Sequence, residues 1–216
     1  MNAIEEMVSK AQEMYLKRIR EKKEKYRIQY LNYSLIAYPN VYPPYIDNEL
    51  VIKNVKISEN DVVLDLCAGV GLLTVFAAQT AKRVVATDIN PAAIESIKEN
   101  ALLCNVQDKV TAVCCCDYPD PPEQYDKILL IPPLSDKKAE DILEKSLFDE
   151  GHKAVIDIIA GAVGHLKPNG ELYIRWSDIG DMSFIYNLLQ KYGFKYQSLA
   201  KTNDALSTFV LFKATL

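Results

Sequence analysis

No apolar run in this chain approaches the ~18–20 residues that a membrane-crossing helix needs. The start, Met1-Asn2-Ala3-Ile4-Glu5-Glu6, also lacks the basic residues of a secretory leader. A basic surplus is missing too: 25 Lys and Arg face 29 Asp and Glu, and the net charge of −4 weighs against a nucleic-acid partner. There is no internal repeat and no low-complexity tract. Histidine is scarce, and His152 and His165, both on a predicted helix, are read as structural. The five cysteines do not make a disulfide framework, because the count is odd and Cys114, Cys115 and Cys116 are adjacent. Neighbours on a strand point to opposite faces, so the triplet cannot converge on one metal ion. Small reduced residues in a buried strand are the expectation, and with them a cytoplasmic location. What is present suits one domain with a real core, at 216 residues, 49% hydrophobic and 25% charged.

The first 50 residues differ from the rest. Ile4, Met7, Val8, Ala11, Met14, Tyr15 and Ile19 recur at helical spacing and predict a long amphipathic helix from about 3 to about 31. Its apolar stripe either covers the chain's own crevice or pairs with a second copy in a homodimer. The dense charge of Lys17 to Arg27 reads as a solvated face of mixed-sign pairs, with a basic patch for RNA or an acidic peptide as the alternative. Seven of the 13 tyrosines fall before residue 46, and Tyr38, Tyr42 and Tyr45 form a candidate substrate-contacting group. Beyond Tyr42-Pro43-Pro44, strands are expected at 62–66, 83–87, 110–115, 126–131 and 171–176, with helices at 71–80, 91–104, 136–148 and 152–166 between them. Asn90 caps the second of these helices and Pro91 opens it, while Lys167 to Gly170 turns into the fifth strand. A helix at 181–192 and an antiparallel pair at 195–200 and 207–213 complete the chain. Strands alternating with crossover helices give a parallel sheet covered on both faces, with the ligand crevice at the carboxyl ends of its strands.

Val62-Val63-Leu64-Asp65-Leu66-Cys67-Ala68-Gly69-Val70-Gly71 lies at that point, a short apolar strand that ends in an acid and breaks into a small-residue loop. Asp88 closes the second strand, where a carboxylate can hold a ribose. Three ligands compete. A phosphate-binding loop needs Gly-Lys-Ser/Thr, which is absent. A dinucleotide loop needs a third glycine where Thr74 stands, and Asp65 would oppose a pyrophosphate. S-adenosylmethionine has no phosphate, carries a sulfonium and an ammonium for Asp65, and has a ribose diol for Asp88. It is the ligand the pattern favours.

The same residues carry a family resemblance. Val62 to Gly71, Thr87-Asp88-Ile89-Asn90-Pro91 and Tyr125 to Leu134 resemble three motifs of class I S-adenosylmethionine-dependent methyltransferases, over roughly residues 42–213. The likeness implies an α/β fold, a doubly wound, seven-stranded, mostly parallel Rossmann-like methyltransferase sheet with an N-terminal helical extension. Residues 1–45 would be the extension and 46–216 the S-adenosylmethionine-binding domain. It implies that Asp65, Ala68, Gly69 and Gly71 lie along the methionine part of the cofactor. Asp88 takes the ribose hydroxyls, with Asn90 beside it, and Ile89 packs on the adenine. Cys116 and Asp117 meet the adenine edge, and Ile131 sits beside the methyl group.

Val41 to Leu50 and Ile131-Pro132-Pro133-Leu134 further resemble the branch that includes the release-factor glutamine methyltransferases. Two departures matter. Cys67 stands where a first glycine is usual, a change also seen in RNA-modifying relatives. Ile131 replaces the asparagine that orients an amide, and Leu134 replaces an aromatic, so the standard arrangement for glutamine-amide or adenine-N6 methylation is missing. The expected reaction is therefore methyl transfer to an oxygen or amine nitrogen of a peptide or small molecule, with Tyr38, Tyr42, Tyr45, Pro132, Pro133 and Leu134 around the acceptor. An RNA methyltransferase and a non-catalytic partner subunit are the alternatives. No residue stands out as a catalytic base; Asp47, Tyr42 and Tyr45 are the weak candidates. Simple capping remains the other reading of Asp65 and Asp88, and turn-shaping that of Asp117.

Overall fold

The structure, a computed structural model, describes residues 3–216. Met1 and Asn2 of the leader reading lie outside the described residues, as do the side chains of Ala3 and Ile4. The chain runs α1 (Ala3–Arg20), β1 (Tyr26–Tyr30), β2 (Tyr33–Ala37), α2 (Asn48–Asn54), β3 (Val62–Leu66), α3 (Leu72–Ala78), β4 (Arg83–Asp88), α4 (Pro91–Leu103) and β5 (Val110–Cys114). It continues through β6 (Tyr125–Leu130), α5 (Lys153–His165), β7 (Leu166–Ser177), α6 (Met182–Lys191), β8 (Lys195–Asn203) and β9 (Thr208–Thr215). Seven strands form one sheet in the order β5-β4-β3-β6-β7-β9-β8, parallel from β5 to β7 and antiparallel at β9 and β8.

The alternating pattern read from sequence thus matches the sheet, and the core follows from it. Val63, Leu64, Leu66, Ile128, Leu129 and Leu130 are buried on both faces of the central strands, between helices on either side. Asn90 caps α4 as expected, its side chain accepting from Ala92 N at 3.0 Å.

Three segments differ from expectation. The long N-terminal helix stops at Arg20, and Tyr26 to Ala37 is a β-hairpin with a tight turn in which Leu31 has φ 49°. Tyr26, Ile28 and Tyr30 alternate with exposed Arg27 and Gln29, so a two-residue period wins over the helical propensity of the charged run before it. The hairpin lies on α4 and the small-residue loop, held by Asn100, whose side chain bonds Ile36 N, Ile36 O and Val70 O. Most charges of Lys17 to Arg27 are exposed, as a solvated face would be, but two pair across elements rather than along a helix: Arg20 with Asp141 and Glu144, Lys25 with Glu99.

The predicted helix at 136–148 is an irregular segment with only a short 3-10 turn at Glu144–Ser146. Its acids capture the backbone instead. Asp136 accepts from Gly151 N, Asp141 from Glu144 N, and Glu144 from Glu140 N. Such side-chain acceptors compete with helical hydrogen bonds. Finally, the turn at Lys167–Gly170 is absorbed into β7, whose pairing with β6 shifts register there while Asn169 keeps φ 64°.

The apolar stripe of α1 covers the chain's own crevice. Leu16 and Ile19 are buried against Leu143 and Phe148, and Gln12 Nε2 donates to Ser135 Oγ at 2.8 Å. Met7 and Met14, read as part of that stripe, face outward. The helix and the segment 135–149 therefore make one roof.

Candidate functional site

Beneath that roof, the carboxyl ends of the parallel strands open into a cavity of about 840 Å3, within the range of small-molecule sites. Extending the strand pairings by one residue sets Cys114, Asp88, Cys67, Ile131 and Arg175 in one row across β5, β4, β3, β6 and β7. Each step along the row is about 4.8 Å.

The loop after β3 is built from left-handed residues: φ is 57° at Cys67, 55° at Gly69 and 84° at Gly71. Cys67 bears a Cβ that this conformation disfavours, which is why glycine would suit the position better. At Gly71 both space and φ demand glycine, since a Cβ would lie 3.0 Å from Ile97 Cγ1 and 3.2 Å from Ile97 Cα. Gly71 opens α3 without lining the cavity, whereas Ala68 and Gly69 do line it.

Two carboxylates organise the loop. Asp88 Oδ2 accepts from Gly69 N and Asp88 Oδ1 from Asn90 N, both at 2.8 Å. Its carboxyl is still raised above the usual range by burial, against the lowering effect of those bonds. Capping of α4 falls to Asn90, whose Nδ2 also holds Asn40 O at 2.8 Å. Asp65 is 1% exposed and accepts from Thr74 Oγ1 at 2.6 Å, so the residue in place of a third glycine serves the acid. Burial pushes Asp65 up to about 7, Asp88 adds to the rise, and Thr74 opposes it.

Further along the wall lie Ile89, Cys116 and Asp117. The Asp117 carboxyl is raised by burial and then by Asp157 and Asp149, while its backbone oxygen accepts from Thr87 Oγ1. Ile131, Pro132, Pro133 and Leu134 line the same cavity, as do Tyr42 and Tyr45. Tyr38 is not among the lining residues: its hydroxyl donates to Glu99 Oε2 at 2.9 Å, which withdraws it from the candidate acceptor group.

None of the candidate bases is poised for proton removal. Tyr45 donates to Asp204 Oδ2 at 3.0 Å and burial pushes its phenol up to about 12; burial also raises the Tyr42 phenol well above its ordinary value. Asp47 is 2% exposed, and its Oδ2 lies 2.6 Å from Arg175 Nε. Sequence reasoning missed Arg175, together with Gln12 and Tyr15 from α1, Asp149 and Asp157 near Asp117, and Phe209 near Arg175. The one available signal was an arginine inside Leu172-Tyr173-Ile174-Arg175-Trp176, an otherwise apolar buried strand.

The residues fit an elongated cation bearing a ribose. Asp65, Asp88 and Asp117 line the β3–β5 side, and Gly69, with φ 55°, puts bare backbone between them. Among the described residues, the loop at 67–71 carries no lysine or arginine for a phosphate.

The Methyltransferase small domain family matches residues 44–204 of the chain. Over 175 residues, 78% of this chain and 88% of the relative, the sequence is 30% identical to the "Putative protein N5-glutamine methyltransferase" of Methanocaldococcus jannaschii. It is 32% identical over 126 residues to a release factor glutamine methyltransferase of Cereibacter sphaeroides, covering 52% of this chain and 45% of that protein. Among solved structures, the tRNA m1G37 methyltransferase of M. jannaschii aligns with a TM-score of 0.66 at 20% identity, over 90% of this chain and 57% of that one. That last similarity is one of fold.

Proposed function

The chain belongs to the Methyltransferase small domain family and is an S-adenosylmethionine-dependent methyltransferase, and from that premise we propose that it methylates an oxygen or amine nitrogen of a peptide or small molecule held between Ile131 and the roof. The observation that carries this reading is the row across the strand ends. Asp88 and Cys67 stand on the cofactor side, and Ile131 is one strand further along in the same cavity. When bound, S-adenosylmethionine supplies a methyl group on a positively charged sulfur, an electrophile that needs no metal or covalent intermediate. The chain's residues bind, orient and exclude water. In this proposal Asp88 receives the ribose hydroxyls, Asp65 faces the cationic methionine end with Ala68 and Gly69, and Ile89, Cys116 and Asp117 surround the adenine. Asn90 acts by holding the loop, and Gly71 by shaping it. Ile131 to Leu134 with Tyr42 and Tyr45 flank the acceptor, whose alignment can supply several kcal/mol, up to about 7–11 kcal/mol, of the barrier reduction. An acceptor carboxylate requires no base, and an amine can give its proton to solvent, consistent with the engaged tyrosines and Asp47.

A second reading, methylation of a protein glutamine, is favoured by the name of the 30%-identical relative. Ile131 weighs against it, because an aliphatic side chain offers an amide no hydrogen bond. RNA is a third, suggested by the tRNA methyltransferase of similar fold. Five free cysteines suit a cytoplasmic site of action, and no described helix is long and apolar enough to cross a membrane.

Titration calorimetry with S-adenosylhomocysteine is expected to give a micromolar Kd; absence of binding at hundreds of micromolar would reject the cofactor assignment. Transfer of labelled methyl groups then separates acceptors. Labelling of small-molecule or peptide pools is expected, while labelling confined to tRNA or rRNA, with tight salt-sensitive binding, would replace this reading with the RNA one.

The pH dependence supplies a sharper check. With a pKa of about 7, Asp65 is mostly protonated at pH 6 and mostly ionised at pH 8. A ligand cation that needs the carboxylate should bind about tenfold more tightly at pH 8 than at pH 6. Asp65→Asn should flatten that profile, and an unchanged slope in the variant would remove Asp65 from the cation's side. Folding runs the opposite way. The raised pKa stabilises the ligand-free fold fully below the unfolded value of 3.8, and that stability is lost as pH rises through about 7.

A further inference from the structure

Arg175 is 7% exposed, lies on β7 one strand beyond Ile131, and lines the cavity. Its Nε is 2.6 Å from Asp47 Oδ2, but the N–H is not aligned for a hydrogen bond, and Nε and Nη1 have no hydrogen-bond partner among the described residues. The contact with Asp47 is thus ionic and one-sided. The guanidinium carbon lies 5.8 Å from the centre of the Phe209 ring, within cation–π distance. A buried guanidinium with unmet donors is costly unless something accepts from it. The other basic residues lining the cavity, Lys138, Lys145 and Lys153, are exposed at its rim. Arg175 is therefore the buried cation of an otherwise acidic chamber, and it stands on the acceptor side.

We propose that Arg175 is the anchor for a carboxylate on the methyl acceptor, so that the substrate class is a small organic acid rather than a neutral amide. The planar fork suits two carboxylate oxygens at once. Its place beside Ile131 in the row puts the atoms next to that carboxylate within reach of the transfer point. Asp47 holds the guanidinium in the absence of substrate and competes mildly for it. This inference rests on the methyltransferase reading of the cavity.

The test uses hexanoate, hexylamine, 1-hexanol and an end-blocked glutamine as probes, titrated into the full chain with and without saturating S-adenosylhomocysteine. Failure of S-adenosylhomocysteine to bind would strike the cofactor reading alone, since the probes are also scored on the free protein. The expected result is millimolar or tighter binding of hexanoate, at least tenfold stronger than hexylamine or 1-hexanol. Arg175→Met should weaken hexanoate at least tenfold while S-adenosylhomocysteine affinity stays within twofold, and Arg175→Lys should recover part of the loss. Asp47→Asn removes the competing carboxylate and should tighten hexanoate at least threefold, a gain that a purely structural Arg175 would not give; this arm decides the matter if Arg175→Met fails to fold. Equal hexanoate binding in wild type and Arg175→Met, weaker binding in Asp47→Asn, or preference for the blocked glutamine in both proteins would overturn the proposal.

Discussion

Asp88→Ala is expected to weaken S-adenosylhomocysteine binding by about 100- to 1,000-fold, or about 3–4 kcal/mol. A lost ribose contact to a charged acceptor accounts for about 1.5–3 kcal/mol of this. The rest comes from the loop. Both oxygens of Asp88 already accept backbone N–H groups, from Gly69 and Asn90, so the truncation frees two donors and unfastens the left-handed turn that the cofactor would lie on. Asp88→Asn keeps the shape but turns one acceptor into a donor facing a donor, and should lose nearly as much. Calorimetry measures the loss directly. A change of less than threefold would remove Asp88 from the ribose and from the organisation of the loop.

Gly71→Ala should be strongly destabilising, at about 2–5 kcal/mol. Its φ of 84° costs an L-residue about 1–2 kcal/mol. Its new Cβ would meet Ile97 at 3.0–3.2 Å, backbone included, adding about 1–3 kcal/mol of overpacking. For a domain whose whole stability is about 5–15 kcal/mol, that is a large share. Urea denaturation should show a lower midpoint at an unchanged slope. Gly151→Ala is the control: it has a comparable φ of 66° but nothing within 4 Å of the added carbon, so only the conformational part should remain. Equal losses at the two sites would mean that the contact with Ile97 relaxes freely.

The parallel sheet and its crossover helices were legible because buried strands repeat as apolar runs, and Asn90-Pro91 marks a helix start by its chemistry. The hairpin was not. Tyr26-Arg27-Ile28-Gln29-Tyr30 alternates for only five residues and follows a charged run of strong helix formers, so the longer period masked the shorter one. At 136–148 the composition is helical, yet Asp136, Asp141 and Glu144 spend their oxygens on backbone donors. Asp65 and Asp88 stood out as acids where the sheet pattern predicts a ligand. Their tasks within the protein did not, because Thr74, Gly69 and Asn90 become partners only once the loop is folded. Arg175 was hidden by its neighbours, and Asp47, 128 positions away, could not be paired with it from sequence.

The row from Cys114 to Arg175 also bears on how such a protein could change its substrate. Five strand ends at about 4.8 Å apart span about 19 Å, and each strand supplies one address along that length. In the proposed reading, the donor occupies β5, β4 and β3, while the receiving molecule is met at β6 and β7. Displacing the recipient by a single strand would open a gap too wide for in-line transfer, which needs reacting atoms about 3–3.5 Å apart. New specificity is then confined to a few neighbouring addresses, Ile131, Arg175 and the Asp47 beside it. The half that grips the donor can remain untouched while those three are rewritten.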